Sequence, residues 1–178
     1  NATNEIRKNA ASGGVFSAFA ELLLNNGGVI YGAAYNDDFS VEFKKAENLQ
    51  ELAKLKGSKY IQSKADNVYS NVKNSLSAGK RVLFGGCPCQ VAALYKYLDN
   101  SDITNLYTMD IVCHGVPSPK VLQKYLKENF AGKKIRKLDK TNAVAGIRTR
   151  VVGLEGPSNN QTIPQLHKCG VRDLNPGL

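Results

Sequence analysis

The chain has 178 residues, 42% of them hydrophobic and 22% charged, a globular composition with enough length for one good core. No apolar stretch can span a bilayer: the longest, "VFSAFAELLL", is too short and carries Glu21, so no membrane span is expected. The net charge of +9 suits phosphorylated cofactors or acidic partners as well as nucleic acid, but no aromatic-interleaved basic stretch or nucleic-acid module accompanies it, and no nucleic-acid partner is expected.

Residues 12–24, "SGGVFSAFAELLL", predict a helix capped by Ser12 and stopped by Asn25, Asn26 and Gly27. "GVIYGAAY" predicts a buried strand, and "SVEFKKA" its alternating partner across the "NDD" turn. A short helix follows in "NLQELAKL", ending before Gly57, and another in "KADNVYSNVKNSLSAG", ending at Gly79. Then the pattern becomes strict: strand "KRVLFGG", helix "PCQVAALYKYL", strand "NLYTMDIVC", helix "SPKVLQKYLKENF". This alternation predicts βαβ units and an α/β fold with an open, mainly parallel sheet covered by helices on both faces. The two late strands are expected to be parallel neighbours, with Val82, Leu83, Phe84, Leu106, Ile111 and Val112 buried.

Right-handed crossovers put the carboxyl ends of these strands on one rim, where ligands of open α/β sheets bind. Cys87 and Cys89 lie just past one strand and Cys113 at the end of the next. Cys89 also falls in the first turn of a helix, where free N–H groups and the dipole favour a thiolate. The chain opens on Asn1 without a secretory leader, which predicts an interior piece of a longer, cytoplasmic polypeptide. There, four cysteines argue for thiol or metal chemistry instead of a disulfide framework.

After Thr141 the pattern stops. Residues 141–178 have no clear period, and their glycines, prolines and asparagines follow no turn logic. "GIRTR" and "RDLNP", each back-translated in its own frame, share nearly one nucleotide string, GGGATTYGAACCC, the reverse complement of a transfer-RNA T-arm. The segment therefore reads as an irregular tail, read through from transfer-RNA genes, and His167 and Cys169 are set aside with it. Residues 1–140 form the domain proper and hold +7 of the charge, densest in "KKIRKLDK".

Four phrases stand in order and at consistent spacing: "ASGGVFSAFAELLL", "GSKYIQS", "VLFGGCPCQVAAL" and "DIVCHGVPSPKV". Together, over about residues 9–130, they resemble the beta-subunit family of coenzyme F420 hydrogenases and dehydrogenases. The resemblance implies an iron–sulfur flavoprotein oxidoreductase that passes electrons between a (deaza)flavin such as coenzyme F420 and an iron–sulfur chain through bound FAD. It implies other hydrogenase or dehydrogenase subunits, or ferredoxin, as partners. Such members carry a two-cluster segment upstream and further cysteines downstream, so this chain reads as an incomplete domain centred on the flavin-binding core.

Residue by residue, the resemblance implies that Ser12, Gly13 and Gly14 cradle a phosphate of FAD at a helix N-terminus, where glycines admit a close approach. A plain helix cap is the competing reading of those residues. Lys59 in "GSKYIQS" is expected to neutralise a phosphate or a reduced flavin, with Tyr60 packing on the ring. Cys89 and Cys113 become ligands of a [4Fe-4S] cluster, whose remaining thiolates lie outside the chain. The family phrase usually has threonine in place of Cys87, so no ligand role passes to Cys87, which is expected to turn away or to stand around the cluster without binding it. His114, Ser118 and Asp110 receive no catalytic role. The alternative is a non-catalytic α/β domain with a structural zinc or thiol-redox site built from Cys87, Cys89, Cys113 and His114.

Overall fold

The computed structural model describes residues 6, 10, 13–59, 61–131, 134–139 and 150–155, the last two stretches by their backbone. Ser12, Tyr60, His167 and Cys169 lie outside the described residues. The chain forms two compact units, one of residues 1–59 and 63–115, the other of residues 60–62 and 116–178.

In the first unit the elements run α1 (Val15–Asn25), β1 (Val29–Tyr35), β2 (Val41–Ala46), α2 (Leu49–Leu55), α3 (Val68–Ser77), β3 (Val82–Gly86), α4 (Pro88–Leu98) and β4 (Leu106–Asp110). The sheet order is β2-β1-β3-β4; β1, β3 and β4 are parallel, and β2 runs antiparallel to β1 as the "NDD" turn requires. Side chains alternate between the two faces of each strand. Ile30, Ala34 and Leu83 pack under α1 and α2 with Ala20, Leu23, Leu52 and Leu55. Val29, Tyr31, Val82 and Phe84 face the other way and pack under α3 and α4 with Val68, Val72, Leu94 and Leu98. The expected open, mainly parallel sheet with helices on both faces is therefore what the chain builds.

Three local expectations are corrected. The N-cap of α1 is Gly14, not Ser12, and among the described residues no side chain caps the helix. Strand β4 ends at Asp110 because β3 offers no partner beyond Gly86. Ile111 and Val112 consequently emerge onto the rim, 59% and 87% exposed, while Leu106 is half-buried and Val82, Leu83 and Phe84 are fully buried.

In the second unit, Ser118 caps α5 (Pro119–Phe130), its hydroxyl accepting from the Lys120 N–H at 3.3 Å. β5 (Lys134–Asp139) and β6 (Arg150–Glu155) form an antiparallel pair. Within the segment after Thr141, β6 is the part that is described.

Helix α1 seats on the sheet through a glycine. A Cβ at Gly85 would stand 2.6 Å from the Phe16 ring, closer than any carbon contact allows, so only glycine lets the first turn of α1 lie over the end of β3. Gly85→Ala is expected to cost about 1–3 kcal/mol by overpacking, measured by urea unfolding, and Phe16→Leu in the same chain should recover most of it.

Candidate functional site

The parallel register pairs Val82 with Leu106 and Gly86 with Asp110, so β3 and β4 end at one level. The bond from the Ile111 N–H to the Gly86 carbonyl, 3.1 Å, carries that alignment one residue into the loop. On this rim the chain gathers Cys87 and Cys89 at the start of α4, the Cys113 loop, and, through the Phe16–Gly85 contact, the N-terminus of α1. All belong to the first unit.

At α1, Gly14 sits at φ 80°, ψ 8° and is buried. That left-handed backbone favours glycine for its own sake. Gly13 differs: it is exposed, and an added Cβ would meet none of the described residues within 4 Å. The first intrahelical bond runs from the Ala18 N–H to the Gly14 carbonyl, 3.0 Å. The first-turn N–H groups before it have no side-chain cap among the described residues and present donors and positive potential at the rim.

At α4, Pro88 takes the first helical position and Cys87 the cap, as suits a residue without an N–H. Gln90 ties the loop together. Its Oε1 accepts from the Cys87 N–H at 2.8 Å and its Nε2 donates to the Ser63 hydroxyl at 2.7 Å. Thus "GSKYIQS" and "GGCPCQ", distant in sequence, meet through one amide. Nothing in the sequence singled out Gln90; its spacing of three from Cys87, the spacing of a capping box, was the available signal.

The thiols divide by environment. Cys89 is exposed, and Cys87 and Cys113 are half-buried. Burial first, and then the nearby Cys113 and Cys89 thiols, push the Cys87 thiol up to about 11, so it stays protonated at neutral pH. Cys87 shares the rim with Cys113, because the two loops leave paired strand ends. The Cys113 sulfur accepts from the Gly115 N–H at 3.4 Å. His114 and Asp110 are exposed.

Lys59 is placed differently from a free phosphate-binding cation. Its ammonium donates to the carbonyls of Lys54 (3.2 Å), Leu55 (2.8 Å) and Lys56 (2.8 Å), using all three of its donors on the C-terminus of α2. Burial draws its pKa down to about 8, while the carbonyls and the negative helix end favour the charged form. At the other end of the sheet, beside the start of β3, a groove of about 470 Å³ lies between α3 and the strands, lined by Tyr31, Phe43, Asn71, Ser75, Lys45 and Lys80. Both lysines pair with Glu47, at 2.9 and 2.8 Å, and hold its carboxyl at about 2, the Lys80 hydrogen bond contributing most.

The family model for the N-terminal part of the coenzyme F420 hydrogenase/dehydrogenase beta subunit matches residues 1–69, and that for its C terminus matches residues 79–169, reaching into the segment after Thr141. No curated protein matches the chain. Among solved structures, a chain of the xenon-derivatised F420-reducing [NiFe] hydrogenase complex from Methanosarcina barkeri is similar, with a TM-score of 0.59 at 24% identity. That match covers 78% of this chain and 51% of the hydrogenase chain, so this chain spans about half of that one. At that identity the likeness speaks to the fold.

Replacing Lys59 by methionine keeps the stem and removes the donor. Lys59→Met is expected to cost about 1–3 kcal/mol, because partly buried carbonyls lose their partner, measured by urea unfolding against a Lys59→Arg control that retains most of the stability.

Proposed function

The chain belongs to the coenzyme F420 hydrogenase/dehydrogenase beta-subunit family, and we propose that it is the flavin-binding core of an electron-transfer subunit acting in the cytoplasm. Its electrons pass between a (deaza)flavin such as coenzyme F420 and an iron–sulfur chain, by way of FAD. Other hydrogenase or dehydrogenase subunits, or ferredoxin, are the partners. The observation that carries the reading is the meeting, on one rim, of a helix N-terminus that no described side chain caps, with space at Gly13 among the described residues, and of three thiols from two loops.

The residues fit both groups. The space over Gly13 is the kind a Cβ would fill, and the first-turn N–H groups of α1 suit a phosphate. Gly14 sets the turn that aims them. Ser12 would contribute its hydroxyl to the same cradle. Lys59 enters as a fixed cation that keeps residues 57–59 against α2, its charge clamped and not free to follow a phosphate. Cys89 and Cys113 would hold a [4Fe-4S] cluster, with further thiolates from outside the chain. FAD, when bound, supplies the exchange between hydride and single-electron chemistry. The protein's share is to bind and orient it, keep water out and hold the sulfurs in place; no side chain need act as nucleophile or general acid.

A zinc site of Cys87, Cys89, Cys113 and His114 is less favoured. Every ligand of one zinc ion lies within about 2.3 Å of it, and among the described residues no three Cys, His, Asp or Glu are so grouped. A cluster makes no such demand, since its thiolates bind separate iron atoms.

The test uses the protein with its natural flanks, purified anaerobically. A yellow-brown protein with flavin absorbance is expected. Gly13→Val should weaken FAD binding about tenfold or more, roughly 1.4 kcal/mol, and leave iron content unchanged. Cys89→Ser and Cys113→Ser should each lose iron and keep the flavin. A colourless zinc protein, or unchanged flavin affinity in Gly13→Val, would reject the reading. Gly14→Val is no substitute, because its left-handed backbone would strain the fold itself.

A further inference from the structure

We propose that the outer edge of β2 binds an extended, acidic segment of a partner protein as an added strand, along the groove beside α3. β2 is the outermost strand of its sheet. The Lys64 N–H bonds the Val41 carbonyl at 2.8 Å, and the Phe43 N–H bonds the Lys64 carbonyl at 3.2 Å. Lys64 thus pairs parallel with β2 at Glu42, and Phe43 turns its backbone groups away from β1. Outward groups recur at every second residue of an edge, so those of Lys45 face out as well. The chain leaves this edge after Lys64 and enters α3 at Val68. Further along, the Glu47 N–H is taken by the Glu51 carboxylate at 2.7 Å. Between these points the Phe43 carbonyl and the Lys45 N–H and carbonyl have no hydrogen bond among the described residues. The first two repeat, two residues on, the pair of groups that Lys64 engages.

An added strand takes such groups by main-chain hydrogen bonds, and pockets for its side chains set which sequence is accepted. The groove of about 470 Å³ opens beside them, and Phe43 and Lys45 line it themselves. Tyr31 and Val68, both buried, and the Phe43 ring offer a seat to an apolar side chain. The polar lining selects charge. Lys45 and Lys80 share one carboxylate, Glu47, at 2.9 and 2.8 Å, which leaves one positive charge in excess. The side-chain amides of Asn71 and Asn74, in the same lining, have no hydrogen bond among the described residues. Carboxylates complement that surface, in a chain of net charge +9. A lysine on an edge ordinarily guards it against stray strands; a strand that brings its own carboxylates lifts the guard. No residue of the rim enters the inference, which stands apart from the flavin and cluster reading.

The whole chain is panned against phage-displayed random heptapeptides, and the strongest binder is synthesised with a fluorescent label. Selected sequences should combine acidic residues with apolar ones at alternate positions, and the peptide should slow amide exchange over residues 43–47. In fluorescence anisotropy, Lys45→Gln with Lys80→Gln should weaken binding tenfold or more. Lys45→Pro removes an outward N–H, which an edge strand tolerates, and should weaken binding further than Lys45→Gln alone. Five results would overturn the proposal: no enriched sequence, enrichment without acidic residues, affinity unchanged by the paired lysine substitutions, protection elsewhere on the chain, or equal effects of Lys45→Pro and Lys45→Gln. A dimer in sedimentation that Lys45→Pro dissolves would give the edge to a second copy and overturn it too.

Discussion

The parallel register of β3 on β4 is the constraint on which the site depends. Pairing from Val82–Leu106 through Gly86–Asp110 leaves no partner for a further residue, so both chains must leave the sheet at the same level. In a parallel sheet the connection between such strands returns across one face, here as α4, and its N-terminus begins where β3 stops. One register thus delivers two cysteine loops and a helix N-terminus to a single edge. A slip of one residue would reverse which side chains face the core and would separate Cys87 from Cys113.

The second support of that edge is steric. Phe16 lies where a side chain at Gly85 would stand, so α1 can bring Gly13 and Gly14 over the same strand end. Close packing makes such a contact specific: there is room for the ring or for a Cβ, not for both. Gln90 adds a polar fastening, with both halves of its amide engaged. Apolar packing, a missing side chain and one amide together hold the start of α1, Ser63 and the Cys87 loop at one edge.

Much of this was legible beforehand, for physical reasons. Strands buried on both faces read as unbroken apolar runs, so "RVLF" and its neighbours announced a parallel sheet, and Gly27, Gly57 and Gly79 sit at positive φ where their helices end. What stayed hidden were contacts between residues far apart in the chain. Ile111 and Val112 look like strand, yet the length of β3 decides where β4 stops. Lys59 looks like a free cation until three carbonyls of α2 claim its ammonium. The place of Gly14, not Ser12, as the cap follows from a backbone angle that sequence spacing does not report.

The central claim is that FAD binds at this rim and not in the groove at the opposite end of the sheet. Amide hydrogen exchange of the chain with and without FAD tests it most directly. The account predicts slowed exchange in the first turn of α1, from Gly13 to Ser17, and in residues 85–90. Protection confined instead to α3 and the strands beside Tyr31, Lys45 and Lys80 would contradict it.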